Sequence, residues 1–216
     1  MSVVKKINFD NLIDFGNDDS SLIIIERKTP KESSSFFKNL LNNPFNLNEK
    51  ISKVRCLENI QDILDKEISD KIKENIFYDV WTRDMAKIST LFCDILSKNS
   101  INFSLESSRS CKRYHIDNVP IRLLVTYHGK GTEWLPFSAC DYSAYYNGES
   151  NDKIVKNSSE KRFIEDWDVA IFKGQQSVGG ENAILHRTPD EALNVPSLIM
   201  RLDMPSYLNE VYDNHS

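Results

Sequence analysis

The chain of 216 residues carries 27 lysine and arginine side chains against 32 aspartate and glutamate side chains, a formal net charge of −5. This length predicts a single domain over residues 1–216 with a substantial core, and the acidic balance excludes a general electrostatic affinity for nucleic acid. No apolar segment has the length of a membrane span or the pattern of a secretion signal, so we expect a soluble, cytoplasmic protein with no nucleic-acid or membrane partner.

The first part of the chain, residues 1–100, is predicted to be mainly helical. The β-branched run SLIIIERKTP (residues 21–30) predicts an early strand, and the serines at 33–35 are candidate caps for a short helix after it. Apolar residues at three- and four-residue steps then predict one amphipathic helix over residues 56–76 and a second over residues 78–98. Their apolar stripes indicate a helical layer packed on the rest of the fold.

Beyond residue 100 the apolar period changes to two, which predicts strands. The predicted strands are KRYHID, IRLLVTYH, TEWLPF, DVAIFKG, AILHRT and SLIMRLD. The polar, non-periodic segment 146–162 predicts a surface loop. Residues 101–205 are therefore expected to form a β-strand barrel core, in which residues 111–203 form antiparallel strands that enclose a cavity. The predicted fold class is α+β, mainly β, with a sandwich or barrel braced by the N-terminal helices.

A candidate metal site lies in the run CKRYHIDNVP, where His115 and Asp117 stand two residues apart and point to one face of a strand. A non-haem Fe(II) site with two histidines and one carboxylate needs a further histidine from elsewhere in the fold. His186 on a later predicted strand is the best candidate, because His128 sits at a probable turn and His215 in the C-terminal tail. The competing interpretation is that His115 is hydrogen-bonded to a neighbour and His186 is a surface residue.

The same residues resemble known families. The stretch CKRYHIDNVPIRLLVTYHGKGTEWLP, followed by VAIFKG and ILHRTP, resembles the bacterial family called domain of unknown function 1826 over most of residues 75–203. More distantly, HIDN, then an arginine and LLVTY, then Gly-Thr-Glu and a strand histidine followed by Arg-Thr-Pro, is similar to the prolyl-hydroxylase-like Fe(II)- and 2-oxoglutarate-dependent oxygenases. That resemblance implies a double-stranded β-helix, a jelly-roll barrel with supporting helices, and iron held by His115, Asp117 and His186.

The resemblance also implies a basic residue on the late strand for the far carboxylate of 2-oxoglutarate, near the position of Ser197. Arg201, further along the same strand face, and Arg122, on the strand after H-x-D, are the candidates for this cosubstrate. Arg201 is preferred because Met200 and Leu202 flank it as an apolar outer face should.

Other residues near the predicted site have less specific roles. Cys111 shares the predicted face of His115, so it is a candidate additional ligand that would favour zinc, although a small buried residue is the more ordinary interpretation. The four cysteines form no C-x-x-C pair, which argues against a disulfide framework or a four-thiolate zinc site. Candidates for the border of the cavity are Lys173, Thr132, Glu133 and Trp134.

The sequence therefore predicts an oxygenase that depends on Fe(II) and 2-oxoglutarate and acts on a small-molecule or peptide substrate. The first alternative is a cupin-like protein that binds zinc or iron without catalysis and serves metal homeostasis. The second is a binding module without metal.

Overall fold

The computed structural model describes residues 2–6, 8–9 and 12–205, which form two β-sheets and the helices around them. The helices are α1 (Ser33–Leu40), α2 (Cys56–Leu64), α3 (Asp70–Lys73), α4 (Ile76–Leu96), α5 (Tyr142–Tyr146), α6 (Asn151–Ile154) and α7 (Gln175–Val178). The strands are β1 (Ser2–Lys6), β2 (Ser20–Ile25), β3 (Asn46–Ser52), β4 (Ser100–Glu106), β5 (Ile121–His128), β6 (Glu133–Trp134), β7 (Arg162–Phe163), β8 (Val169–Lys173), β9 (His186–Arg187) and β10 (Leu198–Asp203). No described helix is both long and apolar enough to cross a bilayer.

The large sheet has the strand order β1-β2-β8-β5-β10-β4-β3, and the small sheet has the order β7-β6-β9. All neighbouring strands are antiparallel except β1 and β2, which run parallel. In the centre of the large sheet, Leu124 of β5 lies opposite Ala170 of β8 and Arg201 of β10. This register determines which side chains face the space between the sheets.

Helix α4 covers one face of the large sheet, and the sequence predicted it over residues 78–98. The Asn75 side chain caps its N-terminus by accepting a hydrogen bond from the Phe77 amide, and Ser97 follows its last turn in the left-handed conformation. The helix packs its fully buried side chains against alternate side chains of the sheet, Trp81, Met85, Ile88 and Phe92 against Ile23, Leu123, Val125, Met200 and Leu202. Each such burial contributes about 1.5–3 kcal/mol relative to exposure. Helix α4 therefore lies on the outside of the large sheet.

The opposite face of the large sheet faces the small sheet. Leu124 and Phe172 pack there with Trp134 of the small sheet. Because side chains alternate along a strand, Arg201 lies on this inner face while its neighbour Met200 lies in the helical layer. The space between the two sheets is therefore lined by inward-facing side chains of both.

The first 100 residues contain more strand than predicted. They supply β1, β2 and β3, whereas the sequence indicated a helical part with one early strand. In β3 only Leu47 and Ile51 are buried. Polar Asn, Glu and Lys residues occupy the positions between and before them, so the segment lacks the alternation of apolar and polar residues that predicts a strand. The predicted division at residues 100 and 101 is wrong for the large sheet, which takes strands from both parts. Its edges are β1 and β3, so the described residues form an open sheet facing a small one instead of a closed barrel.

The helix predicted over residues 56–76 is interrupted. Helix α2 ends at Leu64, and Ser69 is extended (ψ 151°) before the short α3 begins. Ile68 is buried within the break, so the apolar spacing continues although the backbone does not. Periodicity alone therefore predicted one helix where the chain makes two.

Three predicted strands are shorter than expected. KRYHID makes only an isolated bridge, and TEWLPF and AILHRT contribute the two-residue strands β6 and β9. The segment 146–162, predicted as a loop, contains α6. The strands IRLLVTYH, DVAIFKG and SLIMRLD are confirmed as β5, β8 and β10, and their antiparallel pairing is confirmed as well.

Candidate metal site

The side chains of His115, Asp117 and His186 converge at one point between the sheets. Each offers one potential ligand atom, and these atoms all lie within 4.8 Å of one another. The two histidines are backbone partners in an antiparallel bridge, with N–H···O distances of 3.0 and 3.1 Å, and their ring centroids are 4.5 Å apart. The carboxylate of Asp117 lies 3.2 Å from Nε2 of His186 and 3.8 Å from Nε2 of His115.

Backbone carbonyl groups orient both imidazole rings. Nδ1 of His115 lies 3.0 Å from the carbonyl oxygen of Arg113, and Nδ1 of His186 lies 3.1 Å from that of Ile184. A carbonyl oxygen only accepts hydrogen bonds, so each Nδ1 carries the hydrogen, and in the neutral ring each Nε2 carries a lone pair. Both lone pairs face the carboxylate of Asp117, an arrangement that requires a cation or a proton between them.

The charges of these groups fit a divalent cation. Burial, aided by the neighbouring His186, lowers the pKa of His115 to about 4, so that its imidazole is neutral near pH 7. Burial alone would raise the pKa of Asp117, but His186, Arg122 and His115 together hold it well below its usual value. Oδ2 of Asp117 is buried without a hydrogen-bond donor. Neutral imidazole and ionised carboxylate are the forms that bind metal, and the unpartnered oxygen is available to it.

Arg122 holds the other oxygen of Asp117. Its Nη1 donates to Oδ1 of Asp117, while Nε and Nη2 donate to the two carboxylate oxygens of Asp203 at 2.8 and 2.9 Å. Arg122 therefore orients the acidic ligand and leaves Oδ2 free.

Arg201 borders the same cavity on β10. Its Nη1 lies 3.0 Å from Oε1 of Glu106, its Nε lies 3.4 Å from Asp203, and its Nη2 donates to the Ser104 hydroxyl. Both arginines that the sequence singled out thus already have carboxylate partners, and they share Asp203.

A cavity of about 90 Å³ opens beside the two histidines. Four arginines contribute to its wall, Arg109, Arg122, Arg187 and Arg201, together with apolar side chains of the large sheet such as Leu124 and Ile199. The cavity therefore combines a cation-binding point with an excess of positive side chains.

Arg109 is a cavity residue that the sequence reasoning missed. Its Nη1 donates to the carbonyl oxygen of Lys130 and its Nη2 to the hydroxyl of Thr132, both at 2.8 Å. Burial lowers its pKa to about 10, which still leaves the guanidinium charged near neutral pH. Within the described part of the chain, no carboxylate lies within ion-pair distance of it. No local pattern in SSRSCKRYH marks this arginine, since its neighbours come from the turn after β5.

The family model described as "Protein of unknown function (DUF1826)" matches residues 8–203. This chain belongs to the DUF1826 family. The resemblance to that family seen in the sequence is confirmed. A search of curated proteins found no match to the sequence.

Three solved structures similar to this DUF1826 protein have low sequence identity to it. A proposed oxygenase from Shewanella oneidensis is 10% identical, with 99% of this chain and 98% of that chain covered and a TM-score of 0.43. HygX from Streptomyces hygroscopicus, solved with nickel, 2-oxoglutarate and hygromycin B, is 8% identical over 92% and 88%, with a TM-score of 0.42. The Fe(II)/α-ketoglutarate-dependent dioxygenase TqaL is 11% identical over 90% and 89%, with a TM-score of 0.41. TM-scores this low do not assign a function to this chain.

The remaining predicted site residues of the DUF1826 chain are dispersed. Thr132 and the exposed Cys111 border the cavity, but the Cys111 sulfur is outside the described group of converging ligand atoms. Lys173 bonds the carbonyl oxygen of Asp18 and lies 4.9 Å above the Phe15 ring, away from the cavity wall.

The other described histidine, His128, is not part of the site. His128 packs 6.0 Å from the Phe37 ring beside a separate pocket, and His215 lies outside the described residues. Trp134 belongs to the apolar cluster between the sheets. Glu133 is buried in an ion pair with Arg187.

Proposed function

We propose that this protein is a non-haem oxygenase that depends on Fe(II) and 2-oxoglutarate. The observation that carries the proposal is the convergence of two Nε2 lone pairs and an unpartnered Asp117 oxygen on one point of a cavity wall. Two imidazoles and one carboxylate on one side of an ion leave its other positions open toward the cavity. This donor set is typical of non-haem Fe(II) sites that bind a cosubstrate and oxygen.

In this proposal His115, Asp117 and His186 hold the metal, and Arg122 together with the two backbone carbonyls fixes their orientation. Fe(II) bound there with 2-oxoglutarate would supply the activation of dioxygen. The chain contributes positioning and a partly closed cavity that limits the access of water.

The far carboxylate of 2-oxoglutarate needs a cationic partner, because an unpaired carboxylate in a desolvated pocket is costly. Arg122 and Arg201 would have to give up or share the carboxylates they already hold, Asp203 and Glu106. Arg109 has only neutral acceptors, so an incoming carboxylate would compensate its charge without breaking an ion pair. We therefore assign the far carboxylate to Arg109, with Arg201 as the alternative and Arg122 behind it.

The proposal extends to the fold. The open large sheet and the small sheet would be the major and minor sheets of a double-stranded β-helix, with the metal between them. The antiparallel pairing of β5 with β8 and β10, and of β6 with β7 and β9, supports it. The small volume of the cavity, about 90 Å³, favours a small substrate or a single side chain of a peptide.

The test is an anaerobic titration followed by exposure to air. Fe(II) and 2-oxoglutarate should together give a weak visible charge-transfer band, and air should then convert 2-oxoglutarate to succinate. Asp117→Ala and His186→Ala should abolish both signals, whereas His128→Ala, a histidine change outside the site, should leave both unchanged.

A protein with iron fully bound that shows neither the band nor succinate would contradict the proposal. That result would favour the metal-binding alternative, since zinc accepts the same three ligands. A protein that binds no divalent metal would favour the binding module.

A further inference from the structure

The two residues that flank the ligand histidines meet at a buried carboxylate. Tyr114, which precedes His115, donates its hydroxyl hydrogen bond to Oε1 of Glu133. Arg187, which follows His186, donates from Nε to Oε1 at 3.1 Å and from Nη2 to Oε2 at 3.0 Å. The guanidinium of Arg187 also lies 5.2 Å from the centre of the Tyr114 ring. All three side chains are buried, with exposures of 0% for Tyr114, 2% for Glu133 and 5% for Arg187.

The two ligand histidines are not held by long, regular strands. His115 belongs to no named strand and is held by its isolated bridge to His186, which itself lies in a strand of two residues. In the small sheet Glu133 lies opposite Arg187, one residue from the pair of Trp134 with His186. Adjacent side chains of extended backbone point to opposite faces, so bonds to residues 114 and 187 act behind the imidazole rings.

We infer that Glu133 is a positioning residue that keeps the two histidine-bearing segments in register. The inference rests on the metal site of the proposed function, because its consequence is the geometry of the two histidine ligands. A buried carboxylate that accepts bonds from both segments joins them. Loss of one partner leaves this buried charge under-compensated, because the remaining cation outside the two segments, Lys161, lies 3.7 Å from Oε1. Arg187 has a further partner in the exposed Asp190, so it stays paired when Glu133 is made neutral.

The experiment compares Glu133→Gln and Tyr114→Phe with the parent protein. The Tyr114 change removes one hydroxyl and keeps the packed ring, so it remains informative if the Glu133 variant fails to fold. Ile88→Val, in the helical layer remote from the site, is the control for a general loss of stability. Two readouts are used, amide hydrogen exchange of His115 and His186 in metal-free protein and the affinity for Co(II) with its visible spectrum.

Both variants should speed exchange at the two histidine amides selectively and weaken Co(II) binding about tenfold or more with an altered spectrum, as expected when groups that orient metal ligands are removed. The Ile88 variant should change neither. Unchanged exchange at both amides, or Co(II) affinity within about twofold of the parent with an identical spectrum, would overturn the inference. Failure of the parent protein to bind Co(II) would count against the proposed function, while the exchange measurement would still decide the role of Glu133.

Discussion

Arg109→Gln tests how the cavity recognises a carboxylate. Arg109 uses two of its five N–H donors on neutral acceptors, so three remain for an incoming anion. Hydrogen bonds to charged groups contribute about 1.5–3 kcal/mol. Loss of a forked pair at this partly buried position should therefore cost about 2–3 kcal/mol, or about a 30- to 140-fold rise in the Kd for 2-oxoglutarate.

The assay is an anaerobic titration of the Fe(II) protein with 2-oxoglutarate, followed through the visible band. Arg83→Gln, an exposed arginine on α4, is the matched control and should leave Kd unchanged. Arg201→Gln should change Kd less, because that guanidinium is already held by Glu106 and Asp203. An unchanged Kd for Arg109→Gln beside a large rise for Arg201→Gln or Arg122→Gln would refute this reasoning.

Three further predictions follow from packing and exposure. Leu123→Ala, at a fully buried position behind the cavity, should lower the free energy of unfolding by about 2–5 kcal/mol in a urea titration, and a loss below about 1 kcal/mol would contradict the core described here. Gly174→Ala should weaken metal binding measured by calorimetry, because a Cβ there would overlap the carbonyl oxygens of Val119 and Asp117. An unchanged affinity would contradict this prediction. Of the four thiols only Cys111 is exposed, and burial raises the pKa of the other three. One equivalent of a thiol reagent should therefore react with the folded protein, and rapid reaction of two or more thiols would contradict the packing.

The parts of the molecule that follow local patterns could be predicted from the sequence. The strands β5, β8 and β10 are dense in β-branched and aromatic residues, and α4 carries a continuous apolar stripe. The pairing of H-x-D with His186 followed from ligand chemistry and from the small number of histidines. The structure brings those three side chains together.

The missed features depend on contacts between distant segments. Strand β3 buries only two apolar side chains and is stabilised by its pairing with β4, and β1 is defined by its parallel neighbour β2. Arg109 is a candidate because of its surroundings. Its hydrogen-bond acceptors are neutral groups on another segment, whereas Arg122 and Arg201 form ion pairs with carboxylates. The sequence shows which arginines are present, but the fold determines which of them line the cavity and which of those has no carboxylate partner.

The central claim is that His115, Asp117 and His186 bind one divalent metal ion. Metal content of protein purified without oxygen and reconstituted with Fe(II) tests it most directly, with Asp117→Ala measured in parallel. We expect one iron per chain in the parent protein and none retained in the variant, while both give the same circular dichroism spectrum. A parent protein that retains no iron, or a variant that retains the same amount, would contradict the account.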